Sequence, residues 1–151
     1  MGERPRIIDI LVLLWLALSA IFVLWGIYSL VLKLKIPSWS SDPVVSKLVP
    51  ELHFGYLIAT IVFFVFSALF IVFAYATFRE KIWAWTSGII ISTILLAIFS
   101  IMLTSFMINA IMFFDWFSVN GLVTVVISFI TDLGIIFFLT RPATKQYFKI
   151  V

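Results

Sequence analysis

The stretch HFGYLIATIVFFVFSALFIVFAYATF, residues 53–78, decides the fold, because its 26 residues include no charged side chain when His53 is neutral. Similar runs cover residues 10–32, 82–114 and 116–140, and only Asp132 interrupts the last of them. A bilayer core about 30 Å thick is crossed by a helix of roughly 20 residues. A membrane-spanning strand would alternate in polarity, which none of these runs does. The sequence therefore predicts four transmembrane helices.

Composition supports the same interpretation. The chain has 151 residues, of which 64% are hydrophobic and 11% are charged, whereas a soluble domain has about 25% charged residues. It contains no cysteine, which excludes a disulfide or a thiolate ligand. We expect one all-α membrane domain, an antiparallel four-helix bundle spanning residues 1–151. Its expected helices cover about 7–33, 53–78, 82–113 and 117–140, with an external loop at 34–52.

The positive charges predict the orientation of the chain. Cytoplasmic loops of membrane proteins carry an excess of Lys and Arg. Three of the ten Lys and Arg residues fall in or beside the loop between helices 1 and 2. The other seven precede helix 1, follow helix 4 or lie between helices 2 and 3. We therefore expect a multi-pass protein of the cell (plasma) membrane with both termini in the cytoplasm.

The external loop is the one sizeable polar segment. It contains three of the five prolines and four serines, and the prolines argue against a continuous helix here. An outside partner would contact this region, with Trp39, Glu51 and His53 as the candidate residues. The simpler interpretation is a plain tether. Glu51 and His53 could also help to seat an ion shared with another subunit, although a histidine at a helix end in an interface is the more ordinary arrangement.

Small and polar residues recur on particular helix faces. Transmembrane helices associate through small residues and interhelical hydrogen bonds, because lipid is as apolar as leucine. At 100° per residue, the small and polar residues of helix 4 from Gly121 to Asp132 share one arc about 100° wide. We predict an intramembrane polar seam that contains Asp132, Ser128, Thr124, Thr93, Ser100 and Ser67. Ala84, Gly88 and Ser92 on helix 3 also have the four-residue spacing of a close-packing face.

Asp132 is the acidic residue inside a predicted span. By helical rise it lies about 13 Å from Arg141. The same depth in helix 1 is Trp15, with Ser92 of helix 3 within one turn. An ionised carboxylate there would cost from about 3 kcal/mol upward, so we expect a protonated or hydrogen-bonded side chain. Three roles stay open, namely interhelical hydrogen bonding, a proton or cation site, and contact with a partner subunit.

The residue pattern does not favour catalysis. Serine and threonine are plentiful, but no basic partner stands at a spacing that would activate them. The C-terminal cations are too sparse for a nucleic-acid interface. We expect no enzyme activity, no metal site and no cofactor. The broad apolar faces favour an accessory or scaffold subunit of a larger membrane complex, in contact with lipids and with other integral membrane subunits or further copies of itself. The alternatives are a small proton- or ion-coupled transporter or channel that uses Asp132, and a module that binds a lipid or quinone.

Three segments carry a resemblance to a known group. In the first, FREKIWAWTSGIIISTI at residues 78–94, a basic turn is followed by Trp-Ala-Trp. The second, DLGIIFFLTRPATKQYF at residues 132–148, contains Leu-Thr-Arg-Pro and ends in Tyr-Phe. With the start RPRIIDILVLL, they resemble a widespread group of small, uncharacterised four-helix integral membrane proteins of archaea and bacteria. The resemblance implies the topology and equivalent positions for Asp132, Arg141 and Pro142. It implies no reaction. Helix 1 departs from the pattern, with LSAIFVLW where a glycine pair is expected.

Overall fold

Every secondary-structure element that the structure describes is an α-helix. The structure, a computed structural model, describes residues 6–35, 43–113 and 116–150, with side chains described in 6–35, 48–108 and 121–150. The helices are α1 (Arg6–Lys35), α2 (Pro43–Phe78), α3 (Ile82–Phe113), α4 (Trp116–Leu139) and α5 (Pro142–Tyr147). Four of them contain segments long and apolar enough to cross a membrane: Arg6–Lys35, Leu48–Phe78, Ile82–Ile108 and Gly121–Leu139. The predictions of an all-α chain and of four such helices are confirmed.

Helix α2 is longer than the sequence predicted. It begins at Pro43 and continues through Pro50, so the predicted loop at 34–52 was wrong for residues 43–52. Pro43 occupies the first position of the helix, where its missing N–H costs nothing and its fixed φ suits the helix. Pro50 removes one hydrogen bond within the second turn. The apolar residues around it continue the helix into the membrane-spanning segment.

The chain forms two compact units. One unit comprises residues up to Leu18 and from Phe70 onward, and the other comprises Ser19–Leu69. In the first, Trp15 of α1 stacks on Phe70 and Phe73 of α2, with ring centroids 5.8 and 5.0 Å apart. In the second, the Ser19 hydroxyl donates to the Ser67 carbonyl at 3.1 Å, and the two hydroxyls lie 2.9 Å apart. Each unit thus joins α1 to α2 in antiparallel order.

The turn between α2 and α3 is a Schellman motif. The Lys81 N–H donates to the Ala76 carbonyl at 3.0 Å and the Glu80 N–H to the Thr77 carbonyl at 3.2 Å, which are the two bonds that define this helix end. Glu80 has the left-handed φ of 55° that glycine usually provides there. The motif satisfies the last carbonyls of α2 and starts α3 at Ile82, in the opposite direction.

Side chains replace the backbone donors that α4 loses at its end. The Phe138 carbonyl would accept from residue 142 in a continuous helix, but Pro142 has no N–H. The Thr144 hydroxyl donates to this carbonyl at 2.7 Å, beside a longer bond of 3.3 Å from the Arg141 N–H. The Trp85 indole N–H of α3 donates to the neighbouring Leu139 carbonyl at 2.8 Å. These two bonds fix the end of α4 against α5 and against the first turn of α3.

We expect Thr144→Val to lower the free energy of unfolding by about 1–2 kcal/mol, because a buried carbonyl loses its strongest donor while the side-chain shape is kept. Thr144 is fully buried. Unfolding in mixed micelles, followed by circular dichroism, measures the change. The matched control is Thr140→Val, since the Thr140 hydroxyl makes an exposed bond within its own helix. Equal stability of the two variants would contradict the role given to Thr144.

Candidate functional site

Four buried polar side chains of the first unit form the candidate site. Trp15, Thr77, Ser92 and Asp132, which we call the buried polar cluster, are each fully buried. They come from α1, α2, α3 and α4 respectively. Among the residues that the structure describes, the Trp15 Nε1, the Thr77 and Ser92 hydroxyls and both Asp132 carboxyl oxygens find no hydrogen-bond partner. Each membrane-spanning helix therefore contributes one polar group whose bonding capacity the chain itself does not use.

Trp15 is held by aromatic rings on one side and by a glycine on the other. Its ring stacks on Phe70 and Phe73, with interplanar angles of 20° in both pairs. A Cβ placed on Gly88 would lie 3.2 Å from Trp15 Cζ2. The next nearest indole atom is Cη2 at 3.9 Å, so the edge of the six-membered ring lies against α3 at Gly88. Glycine permits this close approach, which positions the indole next to the helix that carries Ser92.

Helices α3 and α4 pack in antiparallel order around small residues. Ala84, Gly88 and Ser92 are all buried, which confirms the close-packing face predicted from their spacing. A Cβ on Gly88 would also lie 3.3 Å from Leu139 Cδ1. Asp132 is seven residues, or two turns, before Leu139 and therefore lies on the same face of α4. The packing thus directs Ser92 and Asp132 toward each other.

Ser92 is the side-chain neighbour of the Asp132 carboxyl. Its hydroxyl is close enough to interact with the carboxyl, but the distance and angle fall short of a hydrogen bond, so both groups stay unpartnered within the described chain. The two side chains are therefore neighbours and not a hydrogen-bonded pair. The interhelical hydrogen bonding that we considered for Asp132 is not seen among the described residues.

Other hydroxyls in the chain behave differently. A helical serine or threonine can donate to the carbonyl four residues earlier in its own helix. Six side chains do so at 2.7–3.0 Å: Thr60, Thr93, Ser100, Thr104, Ser128 and Thr131. Ser92 and Thr77 do not make this bond. Their hydroxyls are therefore free to serve a group that lies between the helices.

The residues predicted to form one polar seam lie in different parts of the structure. Asp132 and Ser128 are buried on α4, and Thr124 is half-buried. Ser67 is buried in the second unit, where it bonds to Ser19. Thr93 and Ser100 are exposed on α3, so their predicted place in the seam was wrong. Spacing alone shows that residues share a face, but it does not show which face packs inward.

The exposed face of α3 was the feature that sequence reasoning missed. Thr93, Ala97, Ser100 and Thr104, which we call the α3 stripe, are all exposed. Gly88 and Ala97 are nine residues apart, which is two and a half turns at 100° per residue. Helix α3 therefore has small residues on two opposite sides, one buried against α4 and one open. The signal was present in the sequence, since the small residues change from one side of the helix to the other between Ser92 and Thr93.

The residues predicted to contact an external partner are only partly described. Glu51 is exposed and His53 is half-buried, both on α2 rather than in a loop. Trp39 lies outside the described residues. Within the described ranges, no three His, Cys, Asp or Glu side chains are grouped so that they could hold a metal ion.

Comparison with known protein families, with characterised proteins and with solved structures finds no match to this chain. The resemblance of its ends and central turn to small four-helix membrane proteins therefore stays a prediction.

Proposed function

We propose that the chain is a non-catalytic integral membrane protein that acts as an accessory or scaffold subunit of a larger membrane complex. The α3 stripe is the observation that carries this proposal. In the proposed complex, the stripe packs against a transmembrane helix of another subunit. The protein spans the plasma membrane several times, and its basic segments place both termini in the cytoplasm.

The shape of the stripe supports close contact with another helix. Helices approach closely in membranes where small residues such as Ala, Ser and Thr lie at the interface. Ala97 and Ser100 provide such a surface at the middle of the stripe. Ile90, Ile94 and Ile101 on neighbouring positions are exposed by 55%, 55% and 72% and would flank the contact. A helix that faced lipid alone would gain nothing from small side chains in a continuous row.

The hydrogen bonds of the stripe support contact through packing. The hydroxyls of Thr93, Ser100 and Thr104 donate to carbonyls of α3 itself, at 2.8, 2.7 and 3.0 Å. These hydroxyls therefore already donate hydrogen bonds within α3 when no partner is bound. The surface can enter an apolar interface without leaving an unpaired donor, which would cost about 1–3 kcal/mol.

Cysteine cross-linking in native membranes tests the proposal, because the chain has no cysteine of its own. We expect Ala97→Cys to form a cross-link to a specific membrane protein when a short bifunctional thiol- and photo-reactive reagent is added. The control is Ile130→Cys on α4, at a position that is 61% exposed. A discrete product from Ala97→Cys alone supports the proposal, and its mass tells a second copy from a different subunit. Labelling of lipid alone at both positions would reject it.

A further inference from the structure

We propose that Asp132, Ser92 and Trp15 form an internal site that binds a proton together with a small number of water molecules. The site is separate from the α3 stripe, and it does not depend on the function proposed above. The three side chains come from three different helices and are fully buried, and their polar atoms have no hydrogen-bond partner among the described residues. This unused hydrogen-bonding capacity identifies the ligand.

The three side chains lie at a similar depth in the first unit. Trp15, Ser92 and Asp132 are 9, 10 and 7 residues from the nearest ends of α1, α3 and α4. At 1.5 Å per residue these separations correspond to roughly 10–15 Å. The contacts align the helices, since Cβ atoms on Gly88 and Gly134 would lie 3.2 and 3.3 Å from Trp15 and Leu14 of α1. The depth alignment predicted from the sequence for Trp15 and Ser92 agrees with this packing.

The bonding capacities of the three groups match water. The Trp15 indole can only donate, the Ser92 hydroxyl can donate and accept, and a protonated carboxyl donates once and accepts at its remaining positions. A water molecule donates twice and accepts twice, and buried waters typically make about three hydrogen bonds to otherwise unsatisfied groups. Water between these side chains can therefore accept from the indole and bond to both the hydroxyl and the carboxyl.

A metal or organic cation fits this site less well. Sodium and larger cations need several oxygen ligands, whereas Asp132 and Ser92 are the oxygen-bearing side chains of the site. The indole can only donate a hydrogen bond, and its N–H hydrogen is partly positive, which disfavours a cation beside it. Across the described ranges, no metal-holding group of acidic or histidine residues was found. The single carboxyl group therefore binds a proton rather than a metal ion or an organic cation.

The distribution of charged residues along the four helices also favours a proton as the ligand of Asp132. Helix α3 contains no charged residue, and Asp132 is the one charged residue of α4. Helix α2 carries none between Phe54 and Phe78. On α1, Arg6 and Asp9 lie toward the start of the helix, six or more residues before Trp15. Since none of the described helices carries a basic side chain at the depth of the carboxyl to balance an ionised form, a bound proton neutralises it.

Thr77 is the fourth member of the buried polar cluster and lies one residue before the end of α2. Its hydroxyl is also buried without a partner among the described residues, and it lies nearer to the end of its helix than the other three groups lie to the ends of theirs.

Infrared spectroscopy of the purified full chain in lipid vesicles tests the site and needs no partner subunit. We expect a carbonyl band of a protonated carboxylic acid at neutral pH that shifts when H₂O is replaced by D₂O. The band should vanish in Asp132→Asn. It should move to higher frequency in Ser92→Ala and in Trp15→Phe, because each loses a bond to the bridging water. Ser128→Ala is the matched control, since the Ser128 hydroxyl bonds within its own helix, and it should leave the band in place.

Isotope labelling keeps the test independent of how the variants fold. If Asp132→Asn does not assemble, ¹³C-labelled aspartate in the unaltered chain should shift the band and so assign it to an aspartic acid. Absence of the band from the unaltered chain, or a band that does not respond to D₂O, would overturn the proposal. A band unmoved in both Ser92→Ala and Trp15→Phe would overturn it as well, because those side chains would then have no part in the site.

Discussion

Replacing Ala97 with leucine is expected to weaken the attachment of the chain to the proposed partner subunit roughly 30-fold, which corresponds to about 2 kcal/mol. Ala97 is exposed at the centre of the α3 stripe. A leucine there holds the facing helix away from the small residues on either side. The chain itself has room for the larger side chain, so its own stability should not fall. The ratio of partner to chain, measured after extraction in a mild detergent over a dilution series, gives the change in affinity.

The control for this experiment is an alanine that is equally exposed and lies outside the stripe. Ala17 of α1 is exposed, and Ala17→Leu adds the same atoms to a face that we expect to contact lipid. It should leave the partner ratio unchanged. Equal loss of partner in both variants would indicate a general effect of bulk, and no loss in either would show that the stripe is not an interface.

Replacing Trp15 with alanine should produce the largest loss of stability in the first unit, about 3 kcal/mol. Truncation of a buried aromatic side chain in a soluble core costs about 3–5 kcal/mol, partly from the lost transfer of apolar surface out of water. In a membrane that transfer contribution is small, because the unfolded helices also lie in an apolar medium. The lost packing remains, since Trp15 is fully buried and stacks on two phenylalanines.

Unfolding of the Trp15→Ala variant in mixed micelles, followed by circular dichroism, measures this loss. Leu13→Ala is the matched control, because Leu13 is two residues away on α1 and is 63% exposed. We expect a change below about 0.5 kcal/mol for the control. A similar change in both variants would mean that the aromatic stack does not hold α1 against α2. Trp15→Phe keeps most of the aromatic stack, so its loss of stability should lie between those of Trp15→Ala and Leu13→Ala.

The sequence predicted the spans well because charge and length are strong signals in a membrane. Helix α3 ends at Phe113 as predicted, and the predicted bounds of α1 and α4 differ from the observed ones by no more than two residues. The start of α2 was missed by ten residues, because Pro43 stands at the first helical position, where no N–H is needed, and because the helix tolerates Pro50 despite one lost hydrogen bond.

The site was harder to predict than the spans. The sequence singled out Asp132 because a carboxyl in an apolar run is rare, and it placed Trp15 and Ser92 at a similar depth. It assigned Thr93 and Ser100 to the wrong side of α3, because both sides of that helix carry small residues. Which side packs inward depends on the contacts of Gly88 with α1 and α4, and a helical period contains no information about them.

Ser92 and Thr93 are consecutive residues, yet one is buried beside Asp132 and the other is exposed. A helix is about 10 Å in diameter with its side chains. If a neighbour rotates or slides α3, the hydroxyl of Ser92 moves with it relative to the carboxyl on α4. Under the two proposals above, contact at the α3 stripe and the hydration of Asp132 would therefore be coupled through a single helix.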